Sequence, residues 1–224
     1  MPTPLPASRR GFTLVEMMVA LAIMGLAAVG ILRFLIQGLN IYHYDQGRIT
    51  VNKDIRSFTE ELTTNAVYSN YFRIYPNFSS RSNTVGSVTT DAWVNDGQSG
   101  DFLLLIFADT DATTGKTTIN RLIGYYRVPT AAGQSGPVRK FDVAISPAVD
   151  PTVTPIYSIL NTNVPTSTAN TNRQVLQLAQ GLSNGTLFYN FYDRSVMVKG
   201  QIIEQGDQRR RAINTYNFTV SPRG

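Results

Sequence analysis

Sixteen consecutive residues, Met17 to Leu32, carry no charge, and no other stretch constrains the chain as strongly. As a helix they rise about 24 Å at about 1.5 Å per residue, somewhat short of a bilayer interior of about 30 Å. Phe12 to Glu16 before them and Phe34 to Leu39 after them extend the apolar pattern, and Arg33 is placed to snorkel towards the far interface. Arg9 and Arg10 precede the stretch, and a basic flank of this kind holds the N-terminus in the cytoplasm and sends the rest of the chain across. The expectation is a membrane helix near the N-terminus followed by a large polar remainder.

Two details set this segment apart from a secretory signal, which places a small-residue cleavage site after its apolar run. Small residues do occur at Ala27-Ala28-Val29-Gly30, but the apolar pattern continues through Ile31-Leu32 and Phe34-Leu35-Ile36. The small residue in the conspicuous place is Gly11, between the arginines and the helix. The second detail is Glu16, since a carboxylate facing lipid costs about 2.5–3.5 kcal/mol at a helix centre and less near an interface. It is either an acid tolerated at the membrane edge or a group with a dedicated partner.

Arg10-Gly11-Phe12-Thr13-Leu14-Val15-Glu16 resembles the processing site of the type IV pilin family, which includes the pseudopilins of type II secretion and the competence pseudopilins. The resemblance implies that a membrane-embedded prepilin peptidase cuts between Gly11 and Phe12, that Phe12 is then N-methylated, and that the helix stays on the mature protein. Removing residues 1–11 leaves 224 − 11 = 213 residues and lowers the side-chain charge from +5 to +3 with the loss of Arg9 and Arg10. Glu16 becomes the fifth mature residue, which in this family pairs with the cationic N-terminal amine of a neighbouring subunit. Its implied partners are other pilins or pseudopilins, the prepilin peptidase and an inner-membrane assembly platform. The implied location is the bacterial inner membrane, single-pass, with the head in the periplasm until the subunit is drawn into a filament. One departure stands out: many major pilins have a helix-kinking proline about where Arg33 lies, and here no proline occurs between Pro6 and Pro76. Gly25, Gly30 and Gly38 are left to loosen the helix.

Past Leu39 the sequence turns polar while helical spacing persists. Val51, Ile55, Phe58, Leu62 and Ala66 recur at steps of four, three, four and four, on one helix face. The spacing predicts one helix from about Thr13 to Tyr68, and the chain divides into a leader (1–11), an apolar helix (12–39), an amphipathic continuation (40–70) and a β-rich head (71–224). The class is α+β with a mainly antiparallel head. Strands are expected over Phe102–Phe107, Ile119–Val128, Val138–Ile145, Gly185–Tyr192, Ser195–Glu204 and Ile213–Val220, the last two joined across Gln205-Gly206-Asp207-Gln208. The Ser/Thr/Asn/Pro-rich tracts Asn77–Gly100 and Ser146–Asn172 are expected to be surface loops.

The chain has no cysteine and one histidine, His43, so thiol catalysis, disulfide scaffolds and zinc ribbons are excluded. His43 lies between Tyr42 and Tyr44 just past the apolar segment, where aromatic rings suit a membrane boundary. The net charge of +5 is spread thinly, +2 over residues 1–11, −1 over 12–70 and +4 over 71–224, which argues against nucleic acid as a partner. Arg209-Arg210-Arg211 is the densest basic cluster and follows Gly206-Asp207-Gln208, as a solvated hairpin tip would. Asp111 to Thr117 lacks the glycine that a phosphate-binding loop requires at Thr110. Asp109 and Asp111 open like a calcium loop, but Gly115 falls one place late and Asn120 stands where the closing acid belongs, so a hairpin turn is favoured and no metal or other cofactor is assigned. Asp101, Asp142 and Asp193 have no spacing that pairs them for acid-base catalysis, and no catalytic cluster is found.

Within the family, the head of some 154 residues, the missing proline and the missing cysteines resemble a minor component. The strands Leu122–Arg127 and Leu187–Tyr192 and the closing Phe218–Pro222 resemble, more loosely, J-type minor pseudopilins of type II secretion and W-type minor pilins. Such subunits prime filament assembly at the tip. A head-borne binding module, such as an adhesin or DNA-uptake pilin, is the alternative, and the sequence leaves open which filament system is served.

Overall fold

The structure is a computed structural model that describes residues 12–128, 136–180, 185–204 and 212–223. The leader, with Arg9, Arg10 and Gly11, and the cluster Arg209–Arg211 lie outside the described residues. Helix α1 runs Leu14–Tyr68, as its spacing predicts, and the chain divides within it into two compact units between Asp45 and Gln46.

In the first unit α1 is apolar on every side and exposed on every side. It is long and apolar enough to cross a membrane, and none of its most apolar stretch is buried. A helix that is hydrophobic all round needs an apolar surrounding, and the described part of this unit contains no other element to supply one.

In the second unit the helix carries the expected stripe: Val51, Phe58, Leu62 and Ala66 are buried, and Ile55 packs beside them. They cover one face of an antiparallel sheet built from β1 (Tyr71–Tyr75), β4 (Ser99–Gly100), β5 (Phe102–Thr110), β6 (Thr117–Arg127), β7 (Gly136–Val149), β8 (Arg173–Gln180), β9 (Phe188–Phe191), β10 (Ser195–Glu204) and β11 (Ala212–Val220). The order is β1-β5-β6-β7-β8-β10-β9-β4, with β11 also pairing β10. Strand β5 shows why its sequence is a continuous apolar run. Leu103 and Leu105 point to the α1 side, while Phe102, Leu104 and Ile106 point to the opposite side, so both faces of the strand are buried. Polar contacts fix α1 to the sheet: Asn65 Nδ2 donates to the Tyr125 hydroxyl at 2.6 Å, and Lys140 Nζ meets Glu61 Oε1 at 2.7 Å.

The opposite face is covered by α2 (Ile156–Asn163), through Ile156, Ile159 and Leu160, and by Phe78. Phe78 stacks on Tyr126 with ring centroids 3.9 Å apart. Gly124 on β6 makes this layer possible, because a Cβ there would run into the rings of Phe141 and Phe102. Arg81 is buried without a carboxylate. Its Nε donates to Phe78 O at 2.7 Å and its Nη1 to Val164 O at 2.5 Å and Leu160 O at 3.3 Å, tying down the C-terminal end of α2. Burial pushes its guanidinium down to about 10, so it remains charged at neutral pH.

Three expectations need correction. The tract Asn77–Gly100 contains a separate hairpin, β2 (Ser82–Val85) and β3 (Val88–Asp91), whose polar strands lack the alternation that marks a half-buried sheet. The tract Ser146–Asn172 contains α2 and a 3-10 turn over Thr166–Asn170, and the β8 strand that follows was not expected. The strand expected over Gly185–Tyr192 is shorter, Phe188–Phe191; it begins three residues later and stops before Tyr192 and Asp193, which turn left-handed (φ 56° and 53°).

Candidate functional site

The residues on which the family resemblance rests stand at the start of α1. Thr13 caps the helix: its Oγ1 accepts from the Glu16 amide at 3.3 Å. Glu16 reaches back, its Oε2 accepting from the Thr13 amide at 2.9 Å and from the Thr13 hydroxyl at 3.0 Å. This is a capping box, in which a threonine and an acid three residues later satisfy each other's helix-end groups. The negative side chain in the first turn also complements the helix dipole. Phe12, adjoining the cap, is 83% exposed. Sequence reasoning singled out the acid and missed its threonine partner, although the Thr-x-x-Glu spacing is itself the signal.

The geometry gives Glu16 a local role in the uncut chain and leaves the carboxylate accessible on the surface. Freeing the amine of Phe12 would place a cation one residue before the amide that Glu16 already contacts. The site can therefore hold an ammonium group by charge-assisted hydrogen bonding, either its own or one from a neighbour.

In the head, the other acids singled out from sequence are accounted for by local partners. Asp111 Oδ1 accepts from the Thr113 amide at 2.8 Å and Oδ2 from the Thr114 hydroxyl at 2.7 Å, and these bonds hold its carboxyl below the usual carboxylate range. Gly115 completes the turn with φ +66°. Asp109 accepts from Asn120 Nδ2 at 2.5 Å, so the two aspartates serve the β5–β6 hairpin, and among the described residues no group of three acids or histidines is placed to hold a metal. His43 lies exposed on α1 with its ring edge to Tyr42 at 6.0 Å. Asp142 takes two bonds from Arg121, at 2.8 and 2.7 Å.

Asp101 is different, since it is buried with Arg127. The Arg127 Nη2 donates to its Oδ2 at 2.7 Å, and the Leu187 amide donates to its Oδ1 at 3.0 Å. Burial pushes its carboxyl up to about 6, against the opposing pull of Arg127. The pair joins the ends of β5 and β6 to the segment leading into β9, and its bonds are those of a structural clamp.

A family profile described as the prokaryotic N-terminal methylation motif matches residues 6–32. The match supports a type IV pilin-like protein, and with the apolar helix it fits a membrane-anchored one. A motif of this type implies processing by a prepilin peptidase and assembly with other pilins, in a family whose members are generally structural. No curated protein and no solved structure matches the chain.

Proposed function

We propose that this chain is a minor pilin or pseudopilin, cut between Gly11 and Phe12, methylated on the Phe12 amine, and assembled through its helix into the tip or priming complex of a type II secretion pseudopilus or a type IV pilus. The observation that carries the reading is the methylation motif over residues 6–32 together with Glu16, the single acid within residues 12–39, an apolar stretch of helix whose surface is exposed. Before assembly the subunit crosses the inner membrane once, with its N-terminus cytoplasmic and residues 71–224 in the periplasm. Residues 12–39 are the assembly helix. The J-type or W-type minor class agrees best with the large cysteine-free head and the proline-free helix.

In this reading Glu16 exchanges its bonds to Thr13 for the methylated amine of a neighbouring subunit. The acid is tolerable in lipid because the capping box first satisfies it and the neighbour's cation then does. Glu16→Ala is the test: membrane insertion should persist while incorporation into the filament and co-purification with other pilin-like subunits are lost. Normal incorporation of Glu16→Ala would remove the proposed role.

A further inference from the structure

The head carries a pocket of about 230 Å³, lined by Phe72, Arg73 and Ile74 of β1, Trp93 and Asn95 beyond β3, and Asn190 and Asp193 at the end of β9. Its walls are mostly fixed. The Arg73 guanidinium stacks over the Trp93 ring at 4.5 Å, and Arg73 Nη1 donates to Phe72 O at 3.1 Å. Asn190 Nδ2 donates to Asp193 Oδ1 at 2.6 Å, and the Asp193 amide returns a bond to Asn190 Oδ1 at 3.1 Å. The Tyr192 amide donates to Asp96 Oδ1 at 2.5 Å.

This rigidity is bought with strain. Tyr192 and Asp193 are two successive non-glycine residues in the left-handed region, at φ 56° and 53°, and a bulky residue such as tyrosine rarely adopts that backbone. Such conformations persist where the surroundings over-determine them, and they cluster at ligand sites. Here the turn leaves Phe191 and Tyr192 47% and 67% exposed, with ring centroids 4.6 Å apart, beside a pocket that holds the chain's one tryptophan.

The lining chooses among ligands. Arg73 and Asp193 are of opposite charge, so a wholly anionic group meets Asp193 and a wholly cationic group meets Arg73. A neutral group rich in both donors and acceptors suits both. The Ile74 carbonyl, which a peptide main chain could otherwise use, already accepts from the Val94 amide at 2.7 Å. The volume lies below the roughly 300 Å³ at which drug-sized pockets begin, which leaves room for one small ring.

We infer that this pocket binds a single hydroxyl-bearing ring of a carbohydrate, with Arg73 and Asp193 bonding its hydroxyls and Trp93 facing its apolar edge. The site lies wholly in the head and does not depend on how the N-terminus is processed.

Trp93 makes the test direct, since all tryptophan emission comes from the pocket. The full chain, purified in a detergent without a sugar headgroup, is titrated with the methyl glycosides of glucose, galactose, mannose and N-acetylglucosamine, and with N-acetyl-dialanine methylamide as the peptide probe. At least one glycoside should give a saturable change in Trp93 emission. Asp193→Asn keeps an amide oxygen for Asn190 and a residue tolerant of left-handed φ, and it should weaken that binding about tenfold, the loss of one charge-assisted hydrogen bond. Arg73→Lys, which removes the planar fork, should weaken it as well and decides the matter if Asp193→Asn does not fold. The proposal is overturned if no glycoside gives a saturable change, if both variants bind as the parent does, or if only the peptide probe responds.

Discussion

Leu14, Leu26 and Phe34 in the first unit are 77%, 75% and 80% exposed, whereas Leu103, Leu104 and Leu105 in the head are fully buried. The polar groups divide in the same way. Glu16 finds its partner three residues away, in Thr13, while Glu61 meets Lys140 and Asp101 meets Arg127 across long stretches of sequence. The second unit buries a core of large apolar side chains and pairs these acids within itself. The N-terminal helix satisfies one helix-end box and has its apolar surface exposed, which fits a membrane-anchored protein of the pilin type.

The sharpest way to break this contrast is to truncate one large apolar side chain in each unit. Phe58 on α1 sits edge-on to Tyr125, Tyr216 and Phe218, so Phe58→Ala should lower the stability of the head by about 3–5 kcal/mol in denaturant unfolding. Leu21→Ala, on the same helix but 64% exposed, should change it by no more than about 0.5 kcal/mol. Equal losses from the two variants would mean that the first unit has an internal core after all.

Charge burial should separate the regions next. The unfolded chain releases the Asp101 proton near pH 4, and the head holds it until about pH 6, so between those values the folded state binds more protons. This contribution therefore favours folding below about pH 4 and declines as pH rises to about 6, by about 2–3 kcal/mol in all. Comparing unfolding of the parent with Asp101→Asn across that range isolates the slope; identical pH profiles would show that Asp101 titrates as an ordinary carboxylate. The smallest effect belongs to the helix start. Thr13→Val removes the cap oxygen and should cost about 1 kcal/mol locally, seen as faster hydrogen exchange at the Glu16 amide with the head's melting unchanged. Unaltered exchange there would mean that the box does not hold in solution.

How much of this was legible in advance follows from the range of each interaction. The α1 stripe and the runs of β5 and β6 were readable because burial by a regular element imprints its own period on the sequence, every three to four residues for Val51 to Ala66 and unbroken for Phe102 to Ile106. The helix α2 was hidden. It has eight residues, no side-chain cap and Ser, Thr and Asn among its members, and it is held by Arg81 from 79 to 83 positions away. The β2–β3 hairpin was hidden because neither strand has a buried face to pattern. The pairing of Asp101 with Arg127 depends on the β5–β6 register that sets Phe102 opposite Tyr126, and the pocket depends on β1 and β9 meeting the Trp93 segment. At the N-terminus, Glu16 was conspicuous because an acid in an apolar helix is costly, while its threonine partner is an ordinary residue in such a place.

The proposed contrast between a self-contained head and a helix made for assembly rests on a chain end that exists only after cutting. Intact-mass and N-terminal peptide measurement on the protein isolated from the membranes of its own cells tests this most directly. The expected product has 224 − 11 = 213 residues and begins at Phe12 with a methylated amine. A chain that retains residues 1–11, or whose first residue is other than Phe12, would contradict it.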